Sequence, residues 1–317
     1  MLLVIVLLLL SSAAGCSANP TESPVQADSV FASAQQIGLL QGADMKEASG
    51  IVASVRNSGM WWIINDSGYE PIVYLVDSTG QAQAHYRVDG VKNRDWEDLA
   101  VRIHPLTGQA ELLIAEIGDN RAVYPQKHIY VIEEPEFIST NLDQDPPVVT
   151  PRTYSYVYPD GNRDAETLMV DPLTQAWIIV SKREEQVRVY QFNSEYITGT
   201  DSYYTNTEEG RFHSTQVDTL RYLQTLSFGA AVGGDISPDG MEVLIKNYDQ
   251  VFYWKRQSAS QSFGDLLGLS PAVQPYSPEA QGESIAFTRV SRKGYVTVSE
   301  KSSASDQPLL FYKRLRE

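Results

Sequence analysis

One short phrase recurs five times along the chain: a small or acidic residue two places ahead of an aliphatic residue that opens an apolar run. It centres on Ser49 in EASGIVAS, Glu97 in DWEDLAV, Glu166 in DAETLMV, Gly234 in GGDISPDG and Glu283 in GESIAFT, at intervals of 48, 69, 68 and 49 residues. A period of this size marks a radial array of small antiparallel sheets, each burying its faces against its neighbours. The expected fold is therefore an all-β propeller of five blades, or six if the long loops conceal another meander.

The runs inside each interval support this. After Ser49 the chain reads GIVASV, MWWIIND, PIVYLVD and QAHYRV, four β-rich stretches separated by RNSG, DSGYE and DSTGQ. Such stretches joined by turn residues form a four-stranded meander, one blade. LAVRIHP, ELLIAEI, HIYVIEE and TYSYVYP supply the second blade, and TLMVDP, AWIIVSK, VRVYQF and TLRYLQTLSF the third. The polar segment between Phe192 and Thr219 is read as a surface loop. ISPDG, EVLIKNY and VFYWKR begin the fourth blade, and the fifth, SIAFTRV, GYVTVSE and LLFYKRL, lacks one strand. FASAQQIGLL, which precedes the first repeat, is the expected donor: pairing it with the last blade would close the ring and leave no open sheet edge. Removal of Leu309–Tyr312 should then unfold the domain, whereas loss of Arg314–Glu317 should be tolerated. No long amphipathic helix interrupts the pattern, which disfavours folds that need crossover helices.

The chain opens with nine apolar residues, Leu2 to Leu10, then SSAAG and Cys16, its one cysteine. Nine residues are too few to span a bilayer but suit an export signal. Alone, Cys16 cannot form an internal disulfide, and its place after Ala14 and Gly15 resembles a bacterial lipobox, although Ala13 stands where Leu is usual and no Lys or Arg precedes the run. The expected organisation is a lipoprotein signal over 1–15, lipidation of Cys16, a flexible Pro- and Ser-containing tether over 16–30 and one propeller domain over 31–317. The protein would be exported and membrane-anchored, at the outer membrane in a host that has one. A secretory signal with an incidental cysteine is the alternative. The net charge of −15 opposes binding to nucleic-acid phosphates or to an anionic bilayer through a basic patch.

Inner strands of a propeller line its axis, so the recurring phrase should bring Ser49, Glu97, Glu166, Gly234 and Glu283 together. Three crowded carboxylates repel unless a cation or a proton relieves them. A set with only oxygen ligands points to a hard cation, Ca²⁺ before Mg²⁺, and Gly234 could offer only its carbonyl. The plainer reading is that these residues cap strand ends. A second cluster, Asn65, Asp66, Asp95, Trp96, Asp98, Asp119, Asn120 and Arg121, comes from NDSG, DWED and GDNR. Loops at that end of the inner strands open on the channel mouth, where a small molecule or a protein could bind. Asp66 and Asp119 are the candidates for a base or metal ligand, and Trp96 for a stacking platform, although NDSG and GDN are also ordinary turn sequences and Trp96 an ordinary core residue. Lys182, Arg183 and Lys246 read as solvated turn charges or as an anion site. The four histidines show no metal-ligand spacing.

Through NDSG, DWEDLAV, IGDN and DAETLMVDP together the chain resembles a family of uncharacterised exported bacterial propellers, a likeness that brings no reaction with it. More distantly, it is similar to the five-bladed calcium-activated nucleotidases, or apyrases. That resemblance implies calcium on the axis with Ser49, Glu97, Glu166 and Glu283 as ligands. Gly234 departs from the pattern, and NDSG replaces the acidic DDRTG-like turn of those enzymes. The expected function is ligand or protein binding at the mouth of a calcium-stabilised propeller; the alternative is calcium-dependent hydrolysis of phosphoanhydrides or phosphoesters.

Overall fold

The computed structural model describes residues 29–316 except 139–141, 195–196, 198–203, 207–211, 290–292 and 302–305. Residues 1–28, which hold the expected signal, Cys16 and most of the expected tether, lie outside the described residues. After β1 (Gln35–Leu39), the first blade is a meander of β2 (Ala48–Ala53), β3 (Trp61–Asn65), β4 (Ile72–Val76) and β5 (Ala82–Val88). The second contains β6 (Trp96–Ile103), β7 (Ala110–Glu116) and β8 (Lys127–Glu133). The chain next adds β9 (Val148–Val149) parallel to β5 and returns to the second blade as β10 (Arg152–Val157). The third blade holds β11 (Ala165–Val170), β12 (Trp177–Ser181) and β13 (Arg188–Gln191). Then β14 (Tyr204–Asn206) and β15 (Phe212–Thr219) extend the second blade, before β16 (Arg221–Thr225) completes the third. The fourth consists of β17 (Gly233–Ile236), β18 (Glu242–Lys246), β19 (Val251–Lys255), a short helix α1 (Phe263–Leu267) and β20 (Ala272–Gln274). The fifth is β21 (Ser284–Phe287), β22 (Gly294–Val298) and β23 (Pro308–Lys313), with β1 as its outer strand.

The inner strands β2, β6, β11, β17 and β21 neighbour one another in a closed cycle, which makes five blades. Closure follows the expected route, with β1 antiparallel to β23 through Gln35 opposite Phe311 and Leu39 opposite Pro308. Two expectations change. The segment read as a surface loop between Phe192 and Thr219 contains β14 and β15, and β15 pairs in parallel with β10. Its pairing partner is remote in sequence, so periodicity within the segment could not reveal it.

The start of the domain also moves. Ser29 and Val30, assigned to the tether, are tied to the fourth blade: Ser29 Oγ lies 3.4 Å from Gln274 Oε1, and Val30 N–H donates to the same oxygen at 2.9 Å. At the other end Arg314 pairs with Glu242 and stacks its guanidinium 5.0 Å above the Phe31 ring, while Leu315 N–H donates to the Val30 carbonyl.

Five apolar clusters, one between each pair of adjacent blades, form the core. Trp62, Trp96 and Leu112 sit between the first and second blades, and Tyr154, Trp177 and Tyr190 between the second and third. Ile178, Ile245 and Trp254 join the third to the fourth, Phe31, Tyr253 and Tyr295 the fourth to the fifth, and Trp61, Val296 and Phe311 the fifth to the first. The last two include residues on both sides of the closing strand, so the core and the closure depend on each other. Buried polar links supplement them: Glu134 accepts from Val55 N–H at 3.0 Å and Trp62 Nε1 at 2.8 Å, and Arg256 donates from both terminal nitrogens to Asp171 at 2.6 and 3.0 Å.

These contacts revise the expected truncation boundary. A chain ending at Arg314 should keep a cooperative urea melt, whereas one ending at Gln307 should not fold. Arg314→Ala, which removes one of two donors to the Glu242 carboxylate and leaves it the Tyr253 hydroxyl, should cost about 2 kcal/mol in the same measurement.

Candidate functional site

The recurring phrase acquires a structural meaning in the first three blades. Strand register breaks between Ala48 and Gly50, between Trp96 and Asp98 and between Ala165 and Thr167, so that Ser49, Glu97 and Glu166 each occupy a bulge at the start of an inner strand. A bulge re-aims the side chain it carries. The fourth blade has no such break, and Gly234 pairs in register with Ile245. A Cβ at Gly234 would face the Thr167 and Met169 side chains at 3.0 and 3.1 Å, within the packing of the third and fourth blades.

Close packing at the axis depends on small residues and shared hydrogen bonds. A Cβ at Gly50 would come 2.9 Å from the Asp98 backbone, and one at Gly233 would come 2.4 Å from the Glu283 carbonyl. Each inner strand but the third hands a hydrogen bond to the next. Ser49 Oγ donates to the Trp96 carbonyl at 2.9 Å, Leu168 N–H donates to Asp98 at 2.9 Å, Phe287 N–H donates to Asp235 at 2.8 Å, and Ser284 Oγ donates to the Ala48 carbonyl at 3.2 Å. Asp98 also accepts from Leu99 N–H at 2.8 Å. Its carboxylate therefore joins two inner strands within the fold and does not open on the mouth. Trp96 is fully buried between the first two blades and offers no stacking surface.

The axial carboxylates meet a side chain that sequence reasoning placed in a solvated turn. Lys182 pairs with Glu166 and lies 3.5 Å from Glu283, which also accepts from the Tyr248 hydroxyl at 2.5 Å. Burial works against the lysine's charge, but the two glutamates outweigh it and hold its pKa above the ordinary value. An ammonium thus stands among the residues expected to surround an axial ion, with Ser49 spent on Trp96 and Gly234 turned away. Lys246 is fully buried and donates to the Gly282 carbonyl; Arg183 donates to Asp164 at 2.5 Å.

A different carboxylate set converges beside it. Oxygen atoms of Asp66, Asp95 and Glu97 lie within 4.8 Å of one another at the mouth. Asp66 comes from the turn after β3, Asp95 from the residue preceding β6, and Glu97 from the β6 bulge. Asn93, which sequence reasoning did not single out, arranges them: its Nδ2 donates to the Asn65 and Asp66 carbonyls at 2.9 and 2.7 Å, and its Oδ1 accepts from Trp96 N–H at 3.0 Å. Asn65 braces the same turn by accepting from Glu47 N–H at 3.1 Å and donating to the Asp44 carbonyl at 2.6 Å. Room for the carboxylates comes from Gly118 of IGDN, where a Cβ would stand 2.2 Å from Glu97 Oε1 and 2.6 Å from Asp95 Oδ2. Glu166 Oε2, next in the ring, is buried and accepts no hydrogen bond.

Burial and mutual repulsion raise these groups together. Desolvation, followed by the charge of Asp66 and then of Asp164, pushes Asp95 up to about 7, and a hydrogen bond with Asp66 adds to the rise. Asp66 itself is raised, chiefly by burial. Glu97 is held well above the carboxylate range by burial and then by Glu166, Asp66 and Asp95. Glu300, behind Glu283, rises to about 8 for the same reasons.

The other member of the second cluster proposed for chemistry lies elsewhere. Asp119 accepts from Val123 N–H at 2.9 Å, Tyr124 N–H at 2.8 Å and Lys127 Nζ at 2.6 Å. Burial opposes its charge, but those donors prevail and hold its pKa below the ordinary value. A carboxylate so occupied braces the GDNR loop, on which Asn120 and Arg121 are exposed. Arg94, 3.2 Å from Glu116 and 4.1 Å above the Tyr124 ring, closes the flank of the site.

No protein-family profile matches the chain, and no characterised protein matches it in sequence. Among solved structures it is similar to a chain of the nidogen/laminin complex, with 9% identity over 85% of this chain and 84% of that one and a TM-score of 0.40.

The proton on Asp95 has a measurable consequence. In the unfolded chain this group ionises near 3.8, the ordinary value for an aspartate, whereas in the folded chain its pKa is pushed up to about 7. The folded state binds more protons across that window, so without metal its stability should fall as pH rises from about 4 to 7. Asp95→Asn should flatten the dependence, as read by urea melts in chelator at pH 4.5 and 7.5.

Proposed function

We propose that the protein is a lipid-anchored, extracytoplasmic propeller that holds calcium at Asp66, Asp95 and Glu97 and binds an oxygen-rich ligand or a protein partner at the channel mouth. The observation that carries this reading is the convergence of three carboxylates within 4.8 Å on a side of the channel that Gly118 keeps open. A purely oxygen donor set at this spacing suits a hard cation with ligands at about 2.3 to 2.6 Å. The buried, unpartnered Glu166 Oε2 beside it supplies a further acceptor. A bound dication would relieve the repulsion that adds to burial in raising the pKa of these groups, and could present open positions to ligand oxygens at the mouth. The membrane anchor rests on the apolar leader and Cys16.

A second reading, metal-dependent hydrolysis of a phosphoester or phosphoanhydride, is favoured by one feature: Asp95, at about 7, can accept or release a proton near neutrality beside Asp66. Turnover of nucleotide di- or triphosphates with calcium, lost in Asp66→Asn, would establish it.

Calcium titration of the full chain by calorimetry tests the first reading. Saturation at about 100 times the dissociation constant should add about 2.7 kcal/mol to stability, and Glu97→Gln should remove both the heat and the stabilisation. Because binding must displace the Asp95 proton, affinity should weaken as pH falls below about 7. Silent titrations together with unchanged melts would refute the metal site. Palmitate-analogue labelling lost in Cys16→Ser cells is the expected outcome for the anchor.

A further inference from the structure

The face opposite the acidic mouth carries a second feature. The inner strands end there, and the chain leaves β21 through Thr288 and Arg289. Among the described residues Arg289 makes no hydrogen bond or ion pair. The carboxylates whose charge reaches it, Asp235 and Glu134, already have donors of their own: Ile236 and Phe287 N–H for Asp235, and Val55 N–H, Arg56 N–H and Trp62 Nε1 for Glu134. The residue is half-buried; partial loss of water disfavours its charge and lowers its pKa, against the opposing pull of Asp235 and Glu134.

Arg289 borders a cavity of about 420 Å³ between the fifth and first blades, whose apolar wall is formed by Ile37, Met60, Trp61 and Phe311. Its volume falls within the usual range of small-molecule sites, about 300 to 1,000 Å³. Asp77 also reaches the lining, but its carboxylate is engaged by Thr79 N–H at 2.8 Å and Gln83 Nε2 at 2.7 Å. On its other side Arg289 borders a second cavity, lined by Lys255, Lys293 and Arg314 together with Asp239 and Glu242.

We infer that this cavity is a binding site for a small amphipathic carboxylate, its apolar body against Trp61 and Phe311 and its carboxylate on the Arg289 guanidinium. A planar fork of donors matches a carboxylate in two parallel hydrogen bonds, and the low local dielectric strengthens the pair. The site is separate from the acidic mouth and does not depend on the calcium reading.

Calorimetry of the full chain in chelator with octanoate and with octanamide tests it, the two ligands being alike in shape and different in charge. Octanoate should bind at least about tenfold more tightly, the size of effect expected of one charge-assisted contact. Arg289→Met should abolish that preference, and Arg289→Lys, which keeps the charge and loses the fork, should retain part of it. Equal binding of the two ligands, no octanoate binding to the parent chain, or a preference that survives in Arg289→Met would overturn the proposal. Inorganic phosphate should compete only weakly, and competition equal to that of octanoate would refute the apolar half of the site.

Discussion

Five inner strands have to meet around one axis, and their close approach governs the rest of the molecule. Gly50 and Gly233 permit it, because a Cβ at either would press on the backbone of the neighbouring inner strand. Ser49, Asp98, Asp235 and Ser284 then bridge adjacent strands with hydrogen bonds that no blade could make alone. The same crowding gathers the carboxylates at the strand starts. Their charge is relieved where Lys182 reaches Glu166 and Glu283, and burial raises the pKa of Asp95 and Glu97.

The ring has to close for that crowding to persist, and closure is done by the N-terminal segment. The first and last described segments are fastened beside each other through the pairing of β1 with β23, the stacking of Arg314 on Phe31 and the Val30 contact with Leu315. Without them the fifth blade would present a free edge, and the clusters on either side of it would lose part of their packing. The mouth and the opposite face are thus two ends of one axis. Bulges and turn residues gather carboxylates at the mouth, whereas the far ends of the strands present Arg289, Lys255 and Lys293 alongside Asp239 and Glu242.

Legibility varied with how local the cause was. Blade number, inner strands and the closing segment could be read because each depends on alternation or on a count of strands per repeat. β15 could not, since its partner β10 lies far away in sequence. At the site the carboxylates of DWED and DAET stood out, but two chemically similar residues of one phrase had opposite fates. Glu97 turns into the channel on a bulge, while Asp98 is consumed by two backbone N–H groups. Lys182 looked like a turn charge because its partners, Glu166 and Glu283, include one from a blade two steps further along the chain.

By itself, the sequence determined the all-β repeat, the five-fold phrase at the starts of the inner strands and the concentration of acidic groups there, because these follow from local alternation and from composition. Tertiary structure alone decided which acids meet. The bulge at Glu97, the turn after β3 and a glycine at 118 bring Asp66, Asp95 and Glu97 together, while a lysine from β12's following turn pairs with Glu166. The direction in which a strand residue points depends on its pairing with the neighbouring strand, and pairing is a property of the assembled ring.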